Sequence, residues 1–532
     1  MRASLFAIGL GLVLPIVGAS TGPARADTLV YCAEGSPESF NLQLVNTGTS
    51  LNAAFPLYDR LLDYDPATME LRPGLAERWE VSPDGLTWTF HLRQGVRFHD
   101  TKDFTPTRAM NADDVRFSIE RQWKRDHPYF PVNAANYVNF DDFGLADLIA
   151  ALETPDARTV VFRLNRPFAP FAAVLALETG AIHSAEYADV LLKRGTPERI
   201  DLDPVGAGPF QLVRYLKDNQ IRYRAFPDYW RGEQPIRTLV YSIVPDATVR
   251  LAKVRAGECH LMGYPLLQDL AGVEKDDGLV LSSTSGMNTG FLAINTRKAP
   301  YTDPRVRRAL RLAIDRKAIL DAVFDGRGEL ARGPMPNGLW PLRPEEPEAH
   351  DPAAARALLA EAGFPDGFET DLWAMPVQRA YNPNPRRMAE MIQADLAKVG
   401  IRARIVSFEW GEYIRRTLQG EHMLALIGWN SFPDPDFFLY QQLSCDAARP
   451  GGSNPSRWCH PAFDTLVTKA RQSVDRADRE RLYREALAIF ERETPWVPLT
   501  QGRVHDVLRP EVKGFVSQPL AAVRFDGVRL ER

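Results

Sequence analysis

The 532 residues carry 64 lysines and arginines against 68 aspartates and glutamates, a formal charge of −4. A balance this close to neutral, tipped toward acid, excludes the basic surface that nucleic acid demands, so no nucleic-acid partner is expected. The 41 prolines and 36 glycines are scattered through turns and helix starts rather than pooled in a disordered tract, and the length calls for two or three domains without internal repeats.

The chain opens with Arg2, an apolar run from Ala3 to Val17, and Ala24-Arg25-Ala26, which fits a secretory signal peptide cut after Ala26. Its removal takes away Arg2 and Arg25 and no acid, leaving 62 basic and 68 acidic residues and a charge of −6 on a mature chain from Asp27. No later stretch approaches the roughly 20 apolar residues of a bilayer span, so a protein outside the cytoplasm and not membrane-embedded is expected. Tyr31 before Cys32 is too bulky for a lipidation site and argues against a lipoprotein anchor.

From Leu71 to Arg121, Trp79 and Val81, the Pro83-Asp84-Gly85 turn and alternating Trp88, Phe90 and Leu92 predict a β-hairpin with one apolar face. Asn111 predicts a helix cap. Asp113 and Asp114 then fall in the first turn, where the macrodipole favours negative charge; adjacent helical residues point apart, so they are no acid/base couple. Gly206-Ala-Gly-Pro-Phe210 begins a strand pair, Thr238 to Val244 is a β-rich run, and Ala247 to Ala256 is a short helix ending at Gly257. Thr289 to Asn295 reads as a strand. The next helix has Asp303 as cap, Pro304 at its start and Val306, Leu310, Ala313 and Ile314 on one face; Asp351, Pro352 and Gly363 frame another. This alternation means an α/β architecture.

Phe368 to Ala374 predicts a short buried strand. Asn384 caps the following helix, with Pro385 at its first position, Met388, Met391, Ile392, Leu396 and Val399 at helical spacing, and Gly400 closing it. Arg379 therefore falls in a loop at the carboxyl end of a strand, where α/β sheets hold ligands, and its guanidinium can grip a carboxylate with two parallel hydrogen bonds. Spacing alone equally allows a solvated loop arginine. Val406 to Trp410 and Ala425 to Trp429 read as strand-like runs, the aromatic and acidic Trp429 to Phe438 follows, a long helix runs from about Asp475 to Arg492, and Val504 to Arg532 is strand and loop.

Four cysteines, an even number in an exported chain, predict disulfides. Cys445 with Cys459 would close a loop of about 15 residues, worth roughly 3 kcal/mol in chain entropy, and would leave Cys32 with Cys259. Zinc is the competing reading, but the chain has no Cys-x-x-Cys pair and no histidine cluster at ligand spacing, so no metal and no cofactor are expected. Nucleophile elbow, phosphate loop, His-Glu-x-x-His and dinucleotide fingerprint are all missing from the mature region. Tryptophan and tyrosine near turns with one well-placed arginine make a binding site's inventory rather than an enzyme's.

At Leu29-Val-Tyr-Cys-Ala-Glu-Gly-Ser-Pro-Glu-Ser-Phe-Asn41, the Leu71 to Arg121 block, Gly206 to Phe210, Trp373-Ala-Met-Pro-Val-Gln-Arg379 and Phe408-Glu-Trp-Gly-Glu-Tyr413, the chain resembles the extracytoplasmic solute-binding proteins of peptide-type ABC importers, the periplasmic dipeptide-binding proteins above all. The resemblance implies two lobes joined by two crossover strands, with an extra subdomain on the first lobe. Lobe I would be 27–285, its subdomain about 61–190, lobe II 286–502, and 503–532 a return to lobe I, with crossovers near Met287-Asn288-Thr289 and Thr500-Gln501-Gly502. It implies a monomeric periplasmic receptor serving importer permease and ATPase subunits, pairing of Cys32 with Cys259 and Cys445 with Cys459, Arg379 on a ligand carboxylate, and Trp410, Gly48 and Thr49 lining the same pocket. The family holds a peptide's ammonium with an aspartate three residues after a tryptophan matching Trp429. Here that place is Phe432, in a loop about two residues short, with Asp434 or Asp436 as the substitute unless the ligand is apolar or aromatic at that end. Alternatives are a secreted peptide or amide hydrolase and a haem or metal-chelate receptor on the same scaffold.

Overall fold

The computed structural model describes residues 28–132, 137–341 and 348–531, so the signal-peptide expectation lies outside the described residues. Its frame is two large sheets. The first has seven strands in the order Val280–Ser285, Arg503–Leu508, Leu261–Gly263, Thr28–Ala33, Thr238–Ile243, Gln220–Ala225 and Phe210–Leu216. The apolar Thr28–Ala33 sits at its centre, parallel to Thr238–Ile243 on one side and Leu261–Gly263 on the other, and buried as an interior parallel strand should be. Asp246 caps the connecting helix Ala247–Arg255 by accepting from the Val249 N–H at 2.9 Å.

The second sheet runs Glu329–Leu330, Trp496–Gln501, Asn288–Ile294, Leu424–Asn430, Glu369–Trp373 and Arg402–Val406. Its last three strands are mutually parallel, with the helix Pro385–Lys398 as one crossover. Asn384 caps that helix, accepting from the Arg387 N–H at 3.2 Å; Met388, Ile392 and Leu396 bury its apolar face, and Gly400 takes φ +87° beyond its end.

Two chain passages join the sheets. Ser285 ends a strand of the first and Asn288 begins one of the second, while Gln501 and Arg503 do the reverse around Gly502. The passages are knit together: the Gly286 N–H donates to Gly502 O at 2.9 Å, and the buried Asn288 side chain donates to Gly502 O at 3.1 Å while accepting from its N–H at 2.8 Å. This is a two-lobed mixed α/β fold with two crossover strands.

A four-stranded antiparallel sheet, in the order Ala76–Val81, Thr87–Leu92, Thr159–Leu164 and Ile149–Asp156, forms the extra subdomain, and the predicted hairpin is its first strand pair. Its helix Ala112–Trp123 has a full capping box between Asn111 and Asp114, and Asp114 also receives Arg108 at 2.6 Å. The subdomain shares one continuous apolar core with the lobe II helices Asp436–Leu443, Pro461–Gln472 and Arg476–Glu493. The Ala169 N–H donates to Arg471 O at 2.8 Å across that contact, and the Arg471 guanidinium lies 4.9 Å from the Phe168 ring.

One expected strand is corrected. The strand before Trp410 is Arg402–Val406 and stops there; Trp410–Gln419 is a helix, capped by the Glu409 side chain, which accepts from the Glu412 N–H. Both cysteine pairs are bonded, Cys32 to Cys259 at 2.04 Å and Cys445 to Cys459 at 2.05 Å. Replacing both Cys445 and Cys459 by serine opens a loop of sequence separation 14. The cost should be about 3 kcal/mol, seen as a lower thermal midpoint in calorimetry; an unchanged midpoint would show that the loop is held by its packing alone.

Candidate functional site

The strand directions place the site before any side chain is considered. In the second sheet Glu369–Trp373, Arg402–Val406 and Leu424–Asn430 are parallel, so their carboxyl ends share one edge. Asn288 pairs with Asn430, which puts the first crossover on that same edge. In the first sheet Thr28–Ala33, Thr238–Ile243 and Leu261–Gly263 are parallel, and Val280–Ser285 runs with them, being antiparallel to Arg503–Leu508, which is antiparallel to Leu261–Gly263. Both sheets therefore turn the carboxyl ends of their parallel strands toward the crossovers, and loops at such ends are where α/β sheets bind ligands. From lobe II these loops supply Arg379, Trp410 and Phe432; from lobe I they supply Glu34 and Tyr264.

Arg379 lies in a tight turn, its N–H and C=O both paired with Asn382 at 3.0 and 2.9 Å. Its guanidinium donates to the Gln378 carbonyl at 2.9 Å and lies 4.7 Å from the Trp410 ring, which stacks in turn on Tyr413. No carboxylate among the described residues pairs with it, so the guanidinium rests on an aromatic face and keeps N–H donors not engaged by an acid. The turn is fixed to the second crossover: the Thr500 hydroxyl donates to the Tyr381 carbonyl at 2.6 Å, and any Cβ on Gly502 would overlap the Ala380 carbonyl oxygen. Sequence reasoning places Thr500 at the second crossover but misses Tyr381 and the bond between them, a contact 119 residues long.

On lobe I, Gly48 and Thr49 begin the short helix Gly48–Ala54. The Thr49 hydroxyl donates to Glu34 at 2.9 Å, and a Cβ on Gly48 would stand 3.4 Å from the Tyr264 hydroxyl. Tyr264 occupies the left-handed region at φ 54°, uncommon for a bulky residue, and is held there by donating to the Ala521 carbonyl at 2.9 Å. Neither Glu34 nor Tyr264 was singled out by the sequence, although each directly follows a central parallel strand.

The acid-bearing loop departs from expectation. Trp429 donates its indole N–H to the Phe437 carbonyl at 3.0 Å, and Phe432 packs against Phe143 of the extra subdomain and Phe437, ring centres 5.8 and 5.9 Å away. Asp434 and Asp436, the expected substitutes for the missing aspartate, both lie against arginines. Asp434 is buried in an ion pair with Arg479 at 2.7 Å and accepts the Asp436 N–H at 2.9 Å. Asp436 is fully buried, 3.5 Å from the Arg471 guanidinium. Both carboxylates thus anchor the loop to the two helices beneath it. Loss of water outweighs Arg471 at Asp436 and pushes its carboxyl up to about 6.

The Arg379 turn and this loop each give a measurable outcome. Thr500→Val removes the donor to Tyr381 and should cost about 1–3 kcal/mol in denaturant unfolding, while Gly502→Ala should cost a similar amount by overpacking; a neutral effect of both would mean that the turn is not held by the crossover. At Asp436 the folded chain keeps a proton that the unfolded chain releases between about pH 4 and 6, so its contribution to stability falls as pH rises through that window. Asp436→Asn should therefore raise the thermal midpoint relative to wild type at about pH 8 and much less at about pH 4; an equal shift at both would contradict the assignment.

Comparison with known proteins agrees with this geometry. Residues 70–449 match the model of the bacterial extracellular solute-binding proteins, family 5. The dipeptide-binding protein of Escherichia coli (strain K12) is 47% identical over 533 residues, covering 100% of this chain and 99% of that one. HbpA2 from Haemophilus parasuis superposes with a TM-score of 0.92 at 41% identity, over 95% of this chain and 100% of that chain. A dipeptide-binding protein from Pseudoalteromonas in complex with Met-Leu gives a TM-score of 0.76 at 38% identity, over 95% and 100%. The chain belongs to the family 5 extracellular solute-binding proteins.

Proposed function

We propose that this protein captures a dipeptide, or a related small carboxylate, between its two lobes and delivers it to the permease and ATPase subunits of an ABC importer. The observation that carries the reading is Arg379: a guanidinium over Trp410 with no carboxylate partner among the described residues, at the edge of lobe II that faces lobe I. A carboxylate docked there accepts two parallel hydrogen bonds and replaces water on both partners. The names of the relatives favour a dipeptide. The protein then acts by binding alone, as a monomer, in the periplasm, where oxidation of both cysteine pairs is expected.

Within this reading lobe I is 27–285, with a subdomain at about 61–190, lobe II is 286–502, and 503–532 returns to lobe I. The Asn288 and Gly502 contacts support a hinge at the two crossovers, around which ligand selects a closed form that the transporter recognises. Arg379→Ala should weaken dipeptide binding in isothermal titration calorimetry by about 30-fold or more, with little change in thermal midpoint. Affinity unchanged by the substitution would remove Arg379 from the site.

A further inference from the structure

A zwitterionic ligand brings a cation as well as a carboxylate, and the lobe II loop offers it nothing. Phe432 is packed on Phe143, Asp434 is neutralised by Arg479, and Asp436 is sealed beside Arg471. Two further acids near the crossovers, Glu329 and Asp506, are also engaged. Glu329 pairs with Arg503 at 2.7 Å, and Asp506 is buried and accepts the Ser517 hydroxyl.

Glu34 differs from all of these. It follows the central strand Thr28–Ala33 at its carboxyl end, is only half-buried, and its partners are hydroxyls: Thr49 donates to Oε1 at 2.9 Å and Tyr31 to Oε2 at 3.4 Å. No cation pairs with it among the described residues. A carboxylate has about four acceptor positions, so each oxygen keeps capacity after its hydroxyl is counted. The two hydroxyls fix the plane of the carboxylate without neutralising it, which is how a site for an incoming ammonium is prepared. Beside it stand Gly48, without a side chain, and Tyr264, an aromatic ring held at strained backbone angles.

We infer that Glu34 is the acceptor for the ligand's ammonium group, so that lobe I holds the cationic end and Arg379 of lobe II the anionic end. This rests on the dipeptide reading and adds the residue that takes the amino end. Because the two charges sit on different lobes, only a ligand carrying both ends bridges the cleft, and one that is blocked at its amino end loses the lobe I contact.

The test is calorimetric titration of a panel of dipeptides with free amino termini and of the same panel N-acetylated, against wild type, Glu34→Gln and Arg379→Ala. Wild type should prefer the free-amine form by about 10- to 100-fold, the scale of a charge-assisted hydrogen-bond partner. Glu34→Gln keeps the shape and one accepting oxygen, and the hydroxyl that meets the new amide N–H can turn to accept from it; the variant should lose that preference while binding the acetylated panel as wild type does. The assignment is overturned if Glu34→Gln leaves free-amine affinity unchanged or weakens both panels equally. It is overturned without any variant, should Glu34→Gln fail to fold, if wild type binds both panels alike. Loss of binding in Arg379→Ala with no effect in Glu34→Gln would remove only Glu34, whereas a wild type that binds neither panel would remove the dipeptide reading and this assignment together.

Discussion

The Asn288 side chain, bonded to both the N–H and the C=O of Gly502, joins the two chain passages at the point where they change lobes. With almost no exposure and both amide groups used, it leaves no room for the passages to slide past each other. What rests on the crossover inherits its position. The Arg379 turn is pinned to it by Thr500 and by the missing side chain of Gly502, and the Ser431 N–H that opens the Phe432 loop donates to the Met287 carbonyl at 3.2 Å. The Arg379 turn and the Phe432 loop are therefore both tied to the crossovers.

The charges on this scaffold are sorted by accessibility. The acids of the 429–438 loop face the helices Pro461–Gln472 and Arg476–Glu493, Asp434 in an ion pair with Arg479 and Asp436 buried 3.5 Å from Arg471. Arg379 and Glu34, neither with an ionic partner among the described residues, lie in loops at the carboxyl ends of strands of different sheets. An isolated charge costs little while water covers it and gains a partner when water leaves, which ties affinity to closure.

Local signals made much of this legible in the sequence. Asn111, Asp303, Asp351 and Asn384 each cap the helix they announce, because a capping side chain and its N–H targets are at most three residues apart. Arg379 was found the same way, from a strand ending and a cap beginning on either side of it. The helix at Trp410 was misread because Val406, Phe408 and Trp410 alternate as a strand does, although Trp410, Tyr413 and Thr417 have the helical spacing that the fold uses. The arginine partners of Asp434 and Asp436 are illegible for another reason: nothing near them in sequence announces Arg479, 45 residues on, or Arg471. Glu34 stayed hidden for the converse reason, since the lack of a cation partner is a property of the whole fold.

The central claim is that two lobes on a shared hinge close over one ligand. Small-angle scattering of the same sample before and after addition of a saturating dipeptide tests it most directly. The account predicts a smaller radius of gyration with ligand bound, and a radius that stays the same while calorimetry reports binding would contradict it.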